Sequence, residues 1–129
     1  MSYSKADLIE YRINRSLETL SDAKLLLQGE RWNSGANRLY YACFYMATAY
    51  LVKNEIRAIT HTGVKTKFNQ ELIKTGQLDR KYGVIYNKLF ALRQDADYED
   101  FNLIGQKDIA SIQQGVEEII DILKNLIEK

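Results

Sequence analysis

The sequence predicts an all-α, up-and-down four-helix bundle with one additional short helix, and three observations carry that expectation. Proline is absent from all 129 residues, so the strongest helix breaker is missing throughout. Apolar residues recur three or four positions apart over long stretches, the spacing of one helix face. No stretch alternates apolar and polar residues between turn dipeptides, so no sheet is expected.

The first helix is expected over residues 5–28. Leu8, Ile9, Ile13, Leu17, Leu20, Ala23, Lys24 and Leu27 form its stripe, Leu25 and Leu26 widen it, and Gly29 stands where a helix stops. After "GERW", Asn33 or Ser34 can cap a second helix running to about residue 53. Its core, "NRLYYACFYMATAYLVKN", is apolar nearly all round. One stripe is Tyr40, Phe44, Ala47 and Leu51, and the neighbouring one is Tyr41, Tyr45, Thr48 and Val52. A helix greasy on two faces is either central to its bundle or covered on one side by another subunit. Both are expected here, the second as a homodimer.

"EIRAITHTG" reads as a loop, after which Thr60 or Thr62 can cap a shorter helix over residues 63–74. "TGQLD" turns at Gly76, and Asp79 caps a fourth helix through Tyr82, Ile85, Tyr86, Leu89, Phe90 and Leu92 to Arg93. "DYEDFNLIG" is a second irregular segment. The last helix, residues 107–127, spaces Ile109, Ile112, Val116, Ile119, Ile120, Leu123 and Ile127 along one face. Residues 1–129 therefore read as one domain.

Composition narrows the function. Eighteen Lys and Arg against seventeen Asp and Glu give a net charge of +1, so no global field draws in nucleic acid or an anionic membrane. A polyanion would need a local cluster. One cysteine, Cys43, sits in an aromatic run; alone it excludes a disulfide framework and Cys-based zinc sites, and it reads as a buried small hydrophobe. The opening "MSYSKADLIEYRINRS" has no apolar h-region, and no apolar run approaches the roughly 20 residues that span a bilayer. A cytoplasmic protein is expected, with no membrane partner.

Several chemistries lack their residues. There is no phosphate-cradling glycine loop. The single histidine, His61, cannot build the His and Glu-x-x-His sets of bundle metal sites, so neither metal nor cofactor is expected. A nucleophile elbow needs a strand. What remains is polar residues where hydrophobes should continue, in "LFALRQDADYED" at 89–100. Arg93 and Asp97 stand four apart, on one face if the helix continues, and Tyr98 is one residue further round. Arginine offers a permanent charge and a planar donor fork suited to phosphate, and a tyrosine ring can stack on a base. The same pattern also fits an exposed ion pair at a helix end, worth a few tenths of a kcal/mol. His61 can be a capping residue or an acid–base group. Arg38, just before the aromatic run, can face the space between the second and fourth helices or snorkel at the surface. Lys65 and Lys67 add local positive charge.

"NRLYYACFYMATAYL" at 37–51, "HTGV" at 61–64 and "RQDADY" at 93–98 together resemble the HEPN superfamily. The resemblance is to its small stand-alone prokaryotic branch, marked by Arg-x-x-Ala-Asp-Tyr, and extends from about Leu8 to the final helix. It implies a helical bundle, a homodimer formed through the second helix and the motif groove, and one of two activities. Many HEPN domains are metal-independent ribonucleases in which a histidine follows the arginine by four to six residues. Others pair with a minimal nucleotidyltransferase in two-component, toxin–antitoxin-like systems, where the motif tyrosine can be adenylylated. Carried onto this chain, Arg93 matches the motif arginine, and Asp97 and Tyr98 match the acidic residue and the tyrosine.

Position 98 is tyrosine where the ribonuclease spacing would permit histidine, and no histidine follows Arg93. A phenol with a pKa near 10 takes a 2′-OH proton poorly at neutral pH. The leading expectation is therefore a module that binds nucleotide or RNA phosphate through Arg93, Asp97, Tyr98 and Arg38, as partner to a nucleotidyltransferase. The alternatives are an endoribonuclease using Arg93 with His61 or Tyr98, and a structural dimerisation module with no small ligand.

Overall fold

The computed structural model describes residues 3–98 and 104–129, the side chains at 94–98 excepted. Helix α1 spans Lys5–Gln28, α2 Trp32–Lys53, α3 His61–Phe68, α4 Arg80–Tyr98, α5 Gln106–Ala110 and α6 Gln113–Ile127. A π-helical turn, Asn69–Ile73, extends α3. Among the described residues there is no strand. Helices α1, α2 and α4 are long helices that the periodicity predicts, α3 is the short one between the second and fourth, and α5 with α6 occupies the predicted last helix.

Local chemistry sets the ends of α1. The Ser4 hydroxyl accepts from the Asp7 N–H at 3.0 Å, and the Asp7 carboxylate accepts from the Ser4 N–H at 3.2 Å, a reciprocal capping box. The helix stops at Gly29, and Glu30 takes the left-handed conformation, φ 60°, that reverses the chain. The line α1 buries is Ser16, Thr19, Ala23 and Leu27. This corrects the expected stripe: Ile9, Ile13 and Leu20 are half-buried beside it, while Leu8, Leu17 and Leu25 are exposed. Small side chains let α1 approach α2 closely enough for the Ser16 hydroxyl to donate to the Ala42 carbonyl at 2.6 Å.

Helix α2 is the axle of the fold and packs against each of the other five helices. Leu39, Tyr40, Ala42, Cys43, Met46 and Ala49 are wholly buried. Tyr41, Phe44 and Tyr45 are half-buried, so the two stripes differ in cover. Burial pushes the Cys43 thiol well above its ordinary range, which agrees with its reading as a small hydrophobe.

Four boundaries differ from expectation, the first being that α4 runs on to Tyr98, beyond its expected end at Arg93. Neither Asn33 nor Ser34 caps α2, which begins at Trp32 with no side-chain cap; the Asn33 amide oxygen instead accepts from the Ile104 N–H at 3.0 Å and ties down the segment before α5. Helix α3 starts at His61 rather than Gly63, so the histidine belongs to its first turn and not to the loop. The last helix is broken into α5 and α6. Ser111 donates to the Asp108 carbonyl at 3.0 Å and Ile112 bonds back to Ile109, three residues behind, a local alternative to the helical ladder. The apolar stripe crosses the break, with Ile109 and Ile112 both buried.

Candidate functional site

The site is assembled on α2, α3 and α4. Two tyrosines in a row, Tyr40 and Tyr41, project on neighbouring stripes of α2, the first wholly buried and the second half-buried. Their rings meet edge to face, 5.1 Å apart. Everything else in the cluster is referred to these two phenols.

Arg93 comes from α4. Its Nη2 donates to the Tyr41 hydroxyl at 3.4 Å, and its guanidinium carbon lies 5.7 Å from the Tyr40 ring centroid and 5.9 Å from that of Tyr41. Arg38, one helix turn before Tyr41, sets its guanidinium carbon 5.1 Å from the same ring. The Asn37 amide oxygen accepts from Arg38 Nε at 3.1 Å and Nη2 at 2.7 Å, which orients the fork. Two permanent cations from different helices thus share one phenol. The attraction of a guanidinium to an aromatic face, about 0.5–1 kcal/mol at an exposed site, offsets part of their mutual repulsion.

His61 reaches the cluster from α3. Thr60 caps this helix, its hydroxyl accepting from the Gly63 N–H at 2.9 Å, as one of the two expected threonines would. The glycine matters here, because a Cβ at 63 would stand 3.0 Å from that hydroxyl oxygen. With the first turn fixed, His61 Nδ1 lies 2.9 Å from the Tyr40 hydroxyl. The imidazole also packs 4.7 Å from the Phe44 ring and 5.7 Å from Tyr41. One turn on, Lys65 lies 4.5 Å above the Phe90 ring.

Arg38, His61 and Arg93, remote in sequence, are therefore brought around one pair of tyrosines. Helix α4 continues to Tyr98, which meets the condition placed on the four-residue spacing of Arg93 and Asp97. The side chains of Asp97 and Tyr98 lie outside the described residues.

A model of the HEPN domain family matches residues 9–126. The chain belongs to the HEPN family. A UPF0332 protein of Thermotoga maritima is 37% identical over 124 residues, covering 96% of this chain and 94% of its own. Two Methanocaldococcus jannaschii proteins, each named "Putative toxin", are similar as well. One is 29% identical over 121 residues, 94% of this chain and 90% of that protein. The other is 33% identical over 91 residues, 70% and 62%. This is a small HEPN protein with toxin-like relatives, as the three motifs suggested. No helix among the described residues is long and apolar enough to cross a membrane.

Tyr40 and Tyr41 are the HEPN cluster's centre, and sequence reasoning assigned both to packing. A signal was available: a buried phenol must place its hydroxyl. Burial pushes the Tyr40 phenol up to about 12, with Arg93 acting in the opposite direction. It therefore keeps its proton at neutral pH. Chemically the cluster offers two guanidinium forks, an imidazole and neutral phenols, a donor-rich set suited to an anion.

Proposed function

We propose that this HEPN protein, a single bundle over residues 1–129, binds nucleotide or RNA phosphate at the Arg93 cluster. Arg38 lies beside Arg93, and Asp97 and Tyr98 complete the site from the end of α4. The observation that carries this reading is the convergence of Arg38 and Arg93 on Tyr41, with His61 held on Tyr40. Guanidinium forks are the side chains best matched to phosphate. Isothermal titration with mononucleotides and short RNA tests it: wild type binds and Arg93→Ala binds roughly ten- to a hundredfold more weakly, while the variant keeps its helical spectrum. Absence of binding by wild type, alone and with its partner, ends the reading.

The partner in this reading is a separately encoded minimal nucleotidyltransferase, in a cytoplasmic two-component, toxin–antitoxin-like system. The names of the M. jannaschii relatives support the toxin-like part. A neighbouring nucleotidyltransferase reading frame, or a native mass increased by an adenylyl group on Tyr98, checks the rest. The protein acts as a homodimer through α2 and the motif end of α4. Tyr41, Phe44 and Tyr45 leave a half-covered aromatic strip on α2, and a cleft of about 510 Å³ opens beside it, lined in part by Tyr11, Val52 and Ile59. Exposed apolar surface of this kind favours association. Sedimentation equilibrium reads the stoichiometry.

A second reading, a metal-independent endoribonuclease using Arg93 with His61, is favoured by one observation: the imidazole and the Arg93 guanidinium pack on the same two phenols. RNA cleavage that persists in EDTA and is lost in both Arg93→Ala and His61→Ala would establish it.

A further inference from the structure

The contact between Tyr40 and His61 has a direction, and that direction decides what the histidine can do. The Tyr40 ring is wholly buried and hemmed in by Phe44 at 5.9 Å, Tyr86 at 6.2 Å and Phe90 at 6.3 Å, so its hydroxyl is delivered to a fixed place. That place is 2.9 Å from Nδ1 of His61. A phenol is a good donor and a poor acceptor, because its oxygen lone pair is delocalised into the ring. A neutral imidazole offers one nitrogen that accepts and one that donates. The pairing that uses both partners well therefore runs from the phenol to the unprotonated nitrogen. A guanidinium 5.7 Å from the phenol's ring strengthens it further as a donor.

We infer that Tyr40 is a positioning residue that donates to His61 Nδ1, holds the neutral imidazole with its proton on Nε2, and so makes His61 a hydrogen-bond donor to phosphate rather than a base. The donor role rests on the phosphate-binding reading above, whereas the tautomer stands on the geometry alone. The opposite arrangement, with Nδ1–H donating to the phenol oxygen, would leave Nε2 as the accepting nitrogen that an endoribonuclease needs. One hydrogen bond thus separates the two readings of the site. The high pKa of Tyr40 agrees with this, since a phenol that holds its proton throughout the neutral range is always able to donate it. Arg93 lies over the ring of the same residue whose hydroxyl fixes His61, so Tyr40 links the cation and the donor mechanically.

The chain contains one histidine, so a long-range proton–nitrogen correlation spectrum of the full-length protein shows a single imidazole. At about pH 9, well above the ordinary histidine pKa, the expected wild-type spectrum has an imine-type shift at Nδ1 and a pyrrole-type shift at Nε2. Tyr40→Phe should move both shifts toward the average of the two tautomers. Tyr82→Phe removes a phenol whose hydroxyl donates to Glu118 at 2.9 Å instead of meeting Tyr40 or His61, and should keep the wild-type shifts. A pyrrole-type Nδ1 in wild type, or a Tyr40→Phe spectrum identical to wild type, overturns the inference. If Tyr40→Phe does not fold, the wild-type tautomer still decides. Titration of wild type with inorganic phosphate should move the Nε2–H resonance, and Tyr40→Phe should need more phosphate, by at most about twofold, because only part of its histidine population is then competent. A wild-type Nε2–H resonance indifferent to phosphate overturns the donor role and counts against the phosphate reading, while the tautomer result stands apart from it.

Discussion

The two sides of α2 solve different problems. Toward α1 the helix meets small side chains, and the closeness of the backbones lets a serine hydroxyl bond directly to a helix carbonyl, Ser16 to Ala42 at 2.6 Å. A Cβ at Gly35 would come within 2.3 Å of the Leu27 side chain, so the seam has no spare volume. Toward α3 and α4 the helix presents rings instead. There the backbones stand apart, and the gap is filled by Tyr40, Tyr41, Phe44, His61 and Arg93, long side chains whose polar ends meet one another. A seam of small residues makes a tightly packed hairpin, and the cleft on this side opens at its edge, beside Tyr11 and Val52. A face of rings with polar tips costs some packing precision and leaves donors at the surface. The physical lesson is that side-chain length decides where on a bundle chemistry can be placed.

That division can be broken first in the packed core. Leu123 of α6 is wholly buried. Truncation to alanine should cost about 2–5 kcal/mol, the range for leucines whose surroundings cannot collapse. Urea unfolding reads the loss, and titration of the folded variant should find phosphate binding unchanged. A change in affinity of the folded protein would mean that core and cluster are not separable. Arg93→Ala should give the opposite signature. Losing charge-assisted hydrogen bonds to a phosphate is worth about 1.5–3 kcal/mol, roughly ten- to a hundredfold in affinity. Loss of the ring contacts should change the unfolding free energy by less than about 1 kcal/mol.

Alkaline titration sharpens the comparison, because the buried phenols lie toward α3, α4 and α6. Burial raises Tyr40 from the usual 10 to about 12, and raises Tyr82 and Tyr86 as well. A phenol whose pKa is higher in the folded than in the unfolded chain binds its proton more tightly in the fold. Its contribution to stability is complete below pH 10 and is lost as pH rises toward 12. Urea midpoints should therefore be insensitive to these groups up to pH 10 and fall beyond it. In Tyr40→Phe the fall should be shallower. An equally steep fall in that variant would show that Tyr40 titrates alike in both states.

The fold was readable because it depends on local regularities. The α1 bounds, the Thr60 cap and the Asp79 side chain that accepts from the Lys81 N–H at 2.9 Å all follow from short-range rules of spacing and capping. The misses have separate causes. Asn33 was available as a cap, but it bonds to Ile104, 71 residues away, and periodicity carries no information about such a partner. The break at Ser111 is invisible to an apolar stripe that runs through it. For the site, Arg93, His61 and Arg38 stood out as polar residues in odd places, and they do converge. Tyr40 and Tyr41 did not stand out, because a ring's packing value is evident in sequence while the target of its hydroxyl is set by tertiary structure. Asp97 and Tyr98 were named from their spacing after Arg93 and then from the motif, and their side chains lie outside the described residues.

The smallest expected effect is the most local. Thr60→Ala removes the acceptor for the Gly63 N–H and should cost about 1 kcal/mol, the usual worth of a helix cap. The loss falls on one turn, and that turn begins with His61. Fraying there withdraws the imidazole from Tyr40 without touching α1, α2 or α6. Hydrogen exchange should accelerate at the Gly63 amide while amides of the α1–α2 seam keep their protection. Thr60→Ser, which keeps the hydroxyl, should restore the slow rate. If the Gly63 amide exchanges at the wild-type rate in Thr60→Ala, the cap is not what holds His61, and the ring contacts with Phe44 and Tyr41 must hold it instead.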